Sequence, residues 1–187
     1  SYAKENEWFL FWGSDDFCNS KDTFKNLNHI VNEKAFNIKE LDFIVCKSQF
    51  ISKNGKISRK LSISNSNNNY YISTKEFREL LANGLTPPHQ GVLFGPNLRK
   101  KNNDLYNVNF QISADLEYFL RISKIKNLKI LHLNLLLVNM GDNGISSKKI
   151  FRKFYELTLA YKLNFKNDYL KIILKRYLLR LKNLLTK

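Results

Sequence analysis

Two adjacent carboxylates, Asp15 and Asp16, follow an apolar run, Trp8-Phe9-Leu10-Phe11-Trp12, and a Gly13-Ser14 turn. Carboxylate oxygens set side by side on a turn are hard ligands for a divalent cation, which can in turn bind a diphosphate and offset the charge on a departing nucleotide. The same dipeptide also serves simply as a turn whose acid caps the next helix, and on its own it does not choose between the two. A third acid, Asp115, lies two residues after Ser113 at the start of a helix-like segment. There the helix dipole favours an anion, and a first-turn acid that merely stabilises its helix has the same signature. His89 and Gln90 follow Pro87-Pro88, which stiffen the approach to them; they suit contact with a substrate, although a lone histidine is more often structural than catalytic. His29 and His132 read as incidental. Cys18 and Cys46 form neither a CxxC pair nor a disulfide framework, which argues against a zinc site or a small secreted scaffold and for a reducing, cytoplasmic setting.

The elements that must position these residues can be read from periodicity and turn chemistry. Residues 8–12 read as a fully buried strand that ends at Asp15-Asp16. Residues 21–37 read as a helix with Phe24, Leu27, Ile30 and Val31 on one face. Two strand patterns, 41–51 and 56–63, flank Asn54-Gly55, a hairpin turn signal because both residues tolerate positive φ. A polar loop at 64–69 precedes a short helix that a Ser73-Thr74-Lys75-Glu76 capping box opens and Asn83-Gly84 closes. Val92-Leu93-Phe94 reads as a short strand, Ser113 as the cap of a helix through Ile122, and 128–138 as an apolar strand. Strands alternating with helices place the chain in the α/β or α+β class, with a mainly mixed sheet. With 187 residues, 43% of them hydrophobic, the chain can bury one true core, and no apolar run reaches the ~20 residues of a membrane span. The N-terminal residues lack the basic and apolar regions of a signal peptide.

Four motifs now stand in order: Glu7-Trp8-Phe9-Leu10-Phe11-Trp12-Gly13-Ser14-Asp15-Asp16; Pro88-His89-Gln90; Ile112-Ser113-Ala114-Asp115-Leu116-Glu117-Tyr118-Phe119-Leu120; and Asn143-Gly144-Ile145-Ser146-Ser147. Over about residues 3–160 this order and spacing resembles family 2 glycosyltransferases, in particular the branch that builds bacterial surface polysaccharide and lipopolysaccharide. The resemblance implies a partial GT-A fold, a mixed sheet flanked by helices, with residues 1–147 as the C-terminal portion of the catalytic domain. It implies an inverting, metal-dependent transfer of a sugar from a UDP- or other nucleoside diphosphate donor to a saccharide or lipid-linked acceptor. By the same resemblance Asp15 and Asp16 match the DxD-type motif for Mn²⁺ or Mg²⁺, and Asp115 matches the general base. Ser14, His89, Gln90, Gly144 and Ser146 then become candidates for substrate binding. The family's opening strand, which holds the nucleotide base, has no counterpart after Ser1, so the chain is expected to be a fragment lacking the N-terminal nucleotide-binding segment.

Charge is the remaining feature. Of the chain's net +15, +10 falls on residues 148–187, which hold twelve Lys or Arg and two acids. This tail reads as an amphipathic cationic helix in which Leu170, Ile173, Leu174, Tyr177, Leu178, Leu181, Leu184 and Leu185 share one face. Two readings stand for it: a helix lying on an anionic membrane surface, at the inner face of the cytoplasmic membrane, or an ordinary helix packing that face on the catalytic domain. A non-enzymatic nucleic-acid-binding module is the rival for the whole chain. Only 7 of the 31 basic residues are Arg and no helix-turn-helix, zinc-finger or RNP pattern is present, which argues against it.

Overall fold

A computed structural model describes residues 4, 6–33, 36–64, 66–102, 106–141 and 149–185. It comprises two compact units, one drawn from Ser1–Ser73, Pro87–Asn103 and Asn127–Asn143, the other from Thr74–Thr86, Asp104–Lys126 and Gly144–Lys187.

The first unit is a mixed sheet of six strands. Its centre is a parallel pair, β2 (Phe43–Ile51) and β6 (Ile130–Gly141), aligned from Phe43 opposite Ile130 to Ile51 opposite Gly141 with the register shifting between Val45 and Ser48. Both strands are buried over most of their length, as expected of near-continuous apolar runs at the centre of a sheet. Four short antiparallel strands complete the sheet. β4 (Tyr70–Ile72) and β1 (Phe17–Cys18) pair with the early and late parts of β6, while β5 (Val92–Phe94) and β3 (Ile57–Leu61) pair with the early and late parts of β2. The expected hairpin turn joins β2 to β3: Gly55 has φ +73°, and its N–H donates to Ser52 O at 2.9 Å. Helix α1 (Thr23–Glu33) packs on the sheet through Leu27 and Val31, which cluster with Ile44, Cys46, Leu131, Leu133 and Leu137. Before β2, the fully buried Asp42 carboxylate accepts from Lys101 Nζ at 2.7 Å and from the Lys129 N–H at 2.8 Å. One acid thereby ties the end of α3 (Pro96–Lys101) and the entry to β6 to the start of β2.

The 8–12 segment departs from the buried strand expected of it. It makes a single antiparallel bridge, in which Phe9 and Phe94 exchange N–H···O bonds of 2.8 and 2.9 Å. Phe11 is 46% exposed, and Trp8, Leu10 and Trp12 are half-buried. The partner strand β5 is three residues long, too short to pair the whole run, so the aromatic rings lie over the structure instead of entering a ladder.

The second unit is helical: α2 (Thr74–Ala82), α4 (Ala114–Ile122), α5 (Ile150–Phe165) and α6 (Tyr169–Leu185). Helix α2 stops where Asn83-Gly84 said it should. Gly84 has φ +85°, the Leu85 N–H reaches Leu80 O, and the Gly84 N–H reaches Leu81 O, the paired closure of a left-handed C-cap. Buried Tyr161 of α5 donates its hydroxyl to Leu81 O at 2.7 Å and accepts from Arg176 Nη1 at 2.6 Å, which joins α2, α5 and α6. The expected apolar face of α6 is split: Ile173 is buried, while Leu170, Leu174, Leu178 and Leu181 face outward. Among the described residues, no helix is long and apolar enough to cross a membrane.

Ser113 occupies the N-cap position of α4 but makes no side-chain cap bond. Glu156 of α5 instead fixes the segment that leads into α4: its buried carboxylate accepts the N–H groups of Gln111, Ile112 and Ser113 at 3.1, 2.8 and 2.9 Å, while the N–H of Leu116 in the first turn goes to Asp115 Oδ1 at 2.8 Å. Arg152 Nε adds a bond of 2.8 Å. Burial alone would raise the Glu156 pKa, but Arg152 and the three N–H donors outweigh it and hold the group at about 2 against an ordinary 4.5. A depressed acid of this kind stabilises the fold fully above about pH 4.5 and loses that contribution as pH falls towards about 2. Glu156→Gln should therefore cost about 3 kcal/mol at neutral pH. Urea unfolding across the acid range should show the gap to the parent protein closing; a gap that ignores pH would remove the charge from this account.

Candidate functional site

The carboxyl ends of parallel strands in an α/β sheet are where ligands most often bind, because loops diverge there and leave a crevice. In the first unit that end is the region of Gly141 on β6, and the Gly13–Asp16 turn lies against it. The turn leads directly into β1, whose Phe17 and Cys18 pair with Asn139 and Val138. A Cβ at Gly141 would run into the Asp15 carboxylate, so Asp15 occupies the space that a side chain there would need.

Within the turn the two acids fold back over Gly13. Asp16 Oδ2 accepts the Gly13 N–H at 2.6 Å, and a Cβ at Gly13 would lie 3.1 Å from Asp15 Oδ1 and 3.3 Å from Asp16 Oδ2. The turn-closing role left open by the dipeptide is thus real for one oxygen of Asp16, and the same geometry brings the two carboxylates together. Asp16 is half-buried, and its pKa is raised, first by desolvation and further by the neighbouring charge of Asp15. The Gly13 N–H and the charge of His89 act in the opposite direction. His89 is therefore within electrostatic reach of Asp16.

A tryptophan explains that proximity. His89, Gln90 and Gly91 form a single 3-10 turn ahead of β5, and Trp12 Nε1 donates to Gln90 O at 2.9 Å. Trp12 stands immediately before Gly13, so this bond fastens the acid turn to the histidine turn. Gly91 is required on the inner side of that turn, since a Cβ would strike Ser48 Oγ. Ser14 is exposed on the acid turn. The structure brings Ser14, Asp15, Asp16, His89 and Gln90 to one end of the sheet; Gly144 and Ser146 lie outside the described residues.

Three polar side chains beside this turn escaped the sequence reading. Ser48, Gln49 and Asn139 are buried in the late halves of β2 and β6, and Gln49 Nε2 donates to Asn139 Oδ1 at 2.7 Å. Gln49, Asn139 and Phe17 are register partners across three adjacent strands. The available signal was the polar interruption Lys47-Ser48-Gln49 in an otherwise apolar strand. A buried amide pair there holds the strands in one register under the acid turn.

Asp115 belongs to the second unit, in the first turn of α4, whose start Glu156 secures. It is half-buried, and its Oδ1 accepts the Leu116 N–H at 2.8 Å. Tyr106 lies near it: its hydroxyl pKa is raised by burial first, then by the Asp115 charge, and its ring stacks on Tyr118 at 4.7 Å.

The backbone arrangement matches known structures although the sequence does not. No protein-family profile and no curated protein sequence matches the chain. Among solved structures, S. aureus TarS, residues 1–349, superposes with a TM-score of 0.56 at 16% identity, over 91% of this chain and 46% of that one. The chain shares the fold of that part of TarS. TarS in complex with UDP superposes with a TM-score of 0.52 at 15% identity, over 92% of this chain and 46% of that one. The chain thus spans a little under half the length of these neighbours.

Asp15 and Asp16 form a donor set that fits Mg²⁺ or Mn²⁺: hard oxygens, paired, on a turn at a strand's carboxyl end. Among the described residues no group of three or more His, Cys, Asp and Glu is gathered as a metal site. Two carboxylates are the number such an ion takes when phosphate and water fill its other positions. Gly141→Ala should displace the Asp15 carboxylate and weaken Mn²⁺ binding about tenfold by calorimetry while leaving the far-UV spectrum unchanged. Unaltered Mn²⁺ affinity would separate Asp15 from the cation.

Proposed function

We propose that the chain carries the metal-binding and acceptor-side part of a glycosyltransferase that moves a sugar from a nucleoside diphosphate donor to a saccharide or lipid-linked acceptor, with inversion. The observation that carries this reading is the Gly13–Asp16 turn, two converging carboxylates fastened beside His89 at the carboxyl end of β6, in a fold whose TarS counterpart is solved with UDP. The four ordered motifs support family 2 and a role in surface polysaccharide synthesis.

In this reading Asp15 and Asp16 hold Mn²⁺ or Mg²⁺, which when bound supplies charge neutralisation to the departing diphosphate. His89 and Gln90, set beside the acids by Trp12, contact the donor sugar or the acceptor, and Ser14 lies on the same rim. Asp115 takes the proton from the acceptor hydroxyl as it attacks the anomeric carbon. Its place in the first turn of α4 favours the ionised form that a base requires.

Two substitutions, made in the whole glycosyltransferase of which this reading makes the chain a part, test the assignments separately. Asp16→Ala should weaken UDP binding in the presence of Mn²⁺ by tenfold or more and leave metal-free UDP binding unchanged, as read by calorimetry. Asp115→Asn should lower the turnover of UDP-sugar hydrolysis, with water standing in for the acceptor, by about 10²-fold or more while UDP affinity holds. Equal UDP affinities with and without Asp16 would end the metal assignment. Full turnover in Asp115→Asn would end the base assignment.

A further inference from the structure

Helix α6 packs in the second unit by an unexpected edge. Ile173 and Arg176 turn inward, Arg176 onto the Tyr161 hydroxyl, while the more apolar stripe of the same helix faces out. At 100° per residue, Leu170, Leu174, Tyr177, Leu178 and Leu181 fall within an arc of about 100°, and Lys171 and Lys175 follow along its edge. Leu170 and Leu174 are each 62% exposed and Leu178 is 57% exposed. The stripe continues onto α5, where Phe151 is 93% exposed and Phe154 touches Tyr177 with ring centroids 6.3 Å apart. A helix packing on its own domain buries its leucines. This one leaves them outside, joined to a second exposed aromatic cluster and bordered by lysines.

We propose that this α5–α6 face docks on an anionic lipid bilayer, with the leucine and aromatic stripe entering the headgroup boundary and Lys171 and Lys175 meeting acidic headgroups. The charge pattern selects this occupant. Residues 148–187 hold only two acids, and one of them, Glu156, is buried on the backbone that enters α4, so a second copy of the face would bring cation against cation. Nucleic acid would satisfy the lysines and leave the leucines in water. An anionic membrane surface meets both features at once. Docking needs no catalysis, so the inference stands or falls apart from the proposed reaction.

Co-sedimentation with phosphatidylcholine vesicles, with and without 30% phosphatidylglycerol, tests it. The protein should bind the anionic vesicles and leave the neutral ones. Lys171→Gln/Lys175→Gln should weaken binding by about fivefold for each lysine removed. Leu174→Gln/Leu178→Gln/Leu181→Gln should weaken it more than tenfold with an unchanged melting temperature, because these side chains are exposed. Equal binding by the parent protein and the leucine variant would overturn the proposal. So would a concentration-dependent dimer that the leucine variant abolishes, which would assign the face to a second copy.

Discussion

The parallel pairing of β2 with β6 is the constraint on which the rest of the first unit depends. Parallel strands cannot be joined by a tight turn, so the chain travels from Ile51 to Ile130 before the second strand returns beside the first. Everything short in the sheet is then attached to this pair: β1 and β4 along β6, β3 and β5 along β2. None of those four strands has the length to stand alone, and each is defined by the register that the central pair offers it. The buried Gln49–Asn139 amide bond matters for the same reason. A slip of one residue would separate the two amides inside the sheet and leave both without their partner.

The candidate site follows from that register. Asp15 and Asp16 are placed because β1, two residues long, pairs with Val138 and Asn139, and because Gly141 leaves room for a carboxylate at the end of β6. His89 is placed because the Trp12 indole holds the carbonyl of Gln90. The acids themselves are ordinary in type. Their setting raises the pKa of Asp16, first because partial burial penalises the charged form and further because Asp15 stands beside it.

The second unit uses charge differently. Glu156 spends its carboxylate on three consecutive backbone N–H groups in the segment that enters α4, charge-assisted bonds that fix the path of the chain into the helix. The bond expected of Ser113 within the first turn is made by Asp115 to the Leu116 N–H, and the approach to the helix is held from α5, some forty residues later. Tyr161 and Arg176 likewise join three helices through one hydroxyl. These contacts decide which edge of α6 is inside, and the outward turn of its leucines follows from them.

Read alone, the sequence determined the features that depend on neighbouring residues. The Asn54-Gly55 hairpin, the Gly84 stop of α2, the strands around 43–51 and 130–141, and the acid pair on a turn all rest on local dihedral preference and periodicity, which act over a few residues. Tertiary structure decided whatever required a partner distant in the chain. The 8–12 run reads as a buried strand by composition, yet a ladder needs a neighbour, and β5 supplies only one bridge. The apolar stripe of α6 is visible in its spacing, but which part of it is buried depends on Tyr161 and Gly84, to which no periodicity in α6 refers. The pairing of Gln49 with Asn139 spans ninety residues, and the reach of His89 to Asp16 spans over seventy. Hydrogen bonds and charges act through space, and a linear pattern records only the groups that could take part in them.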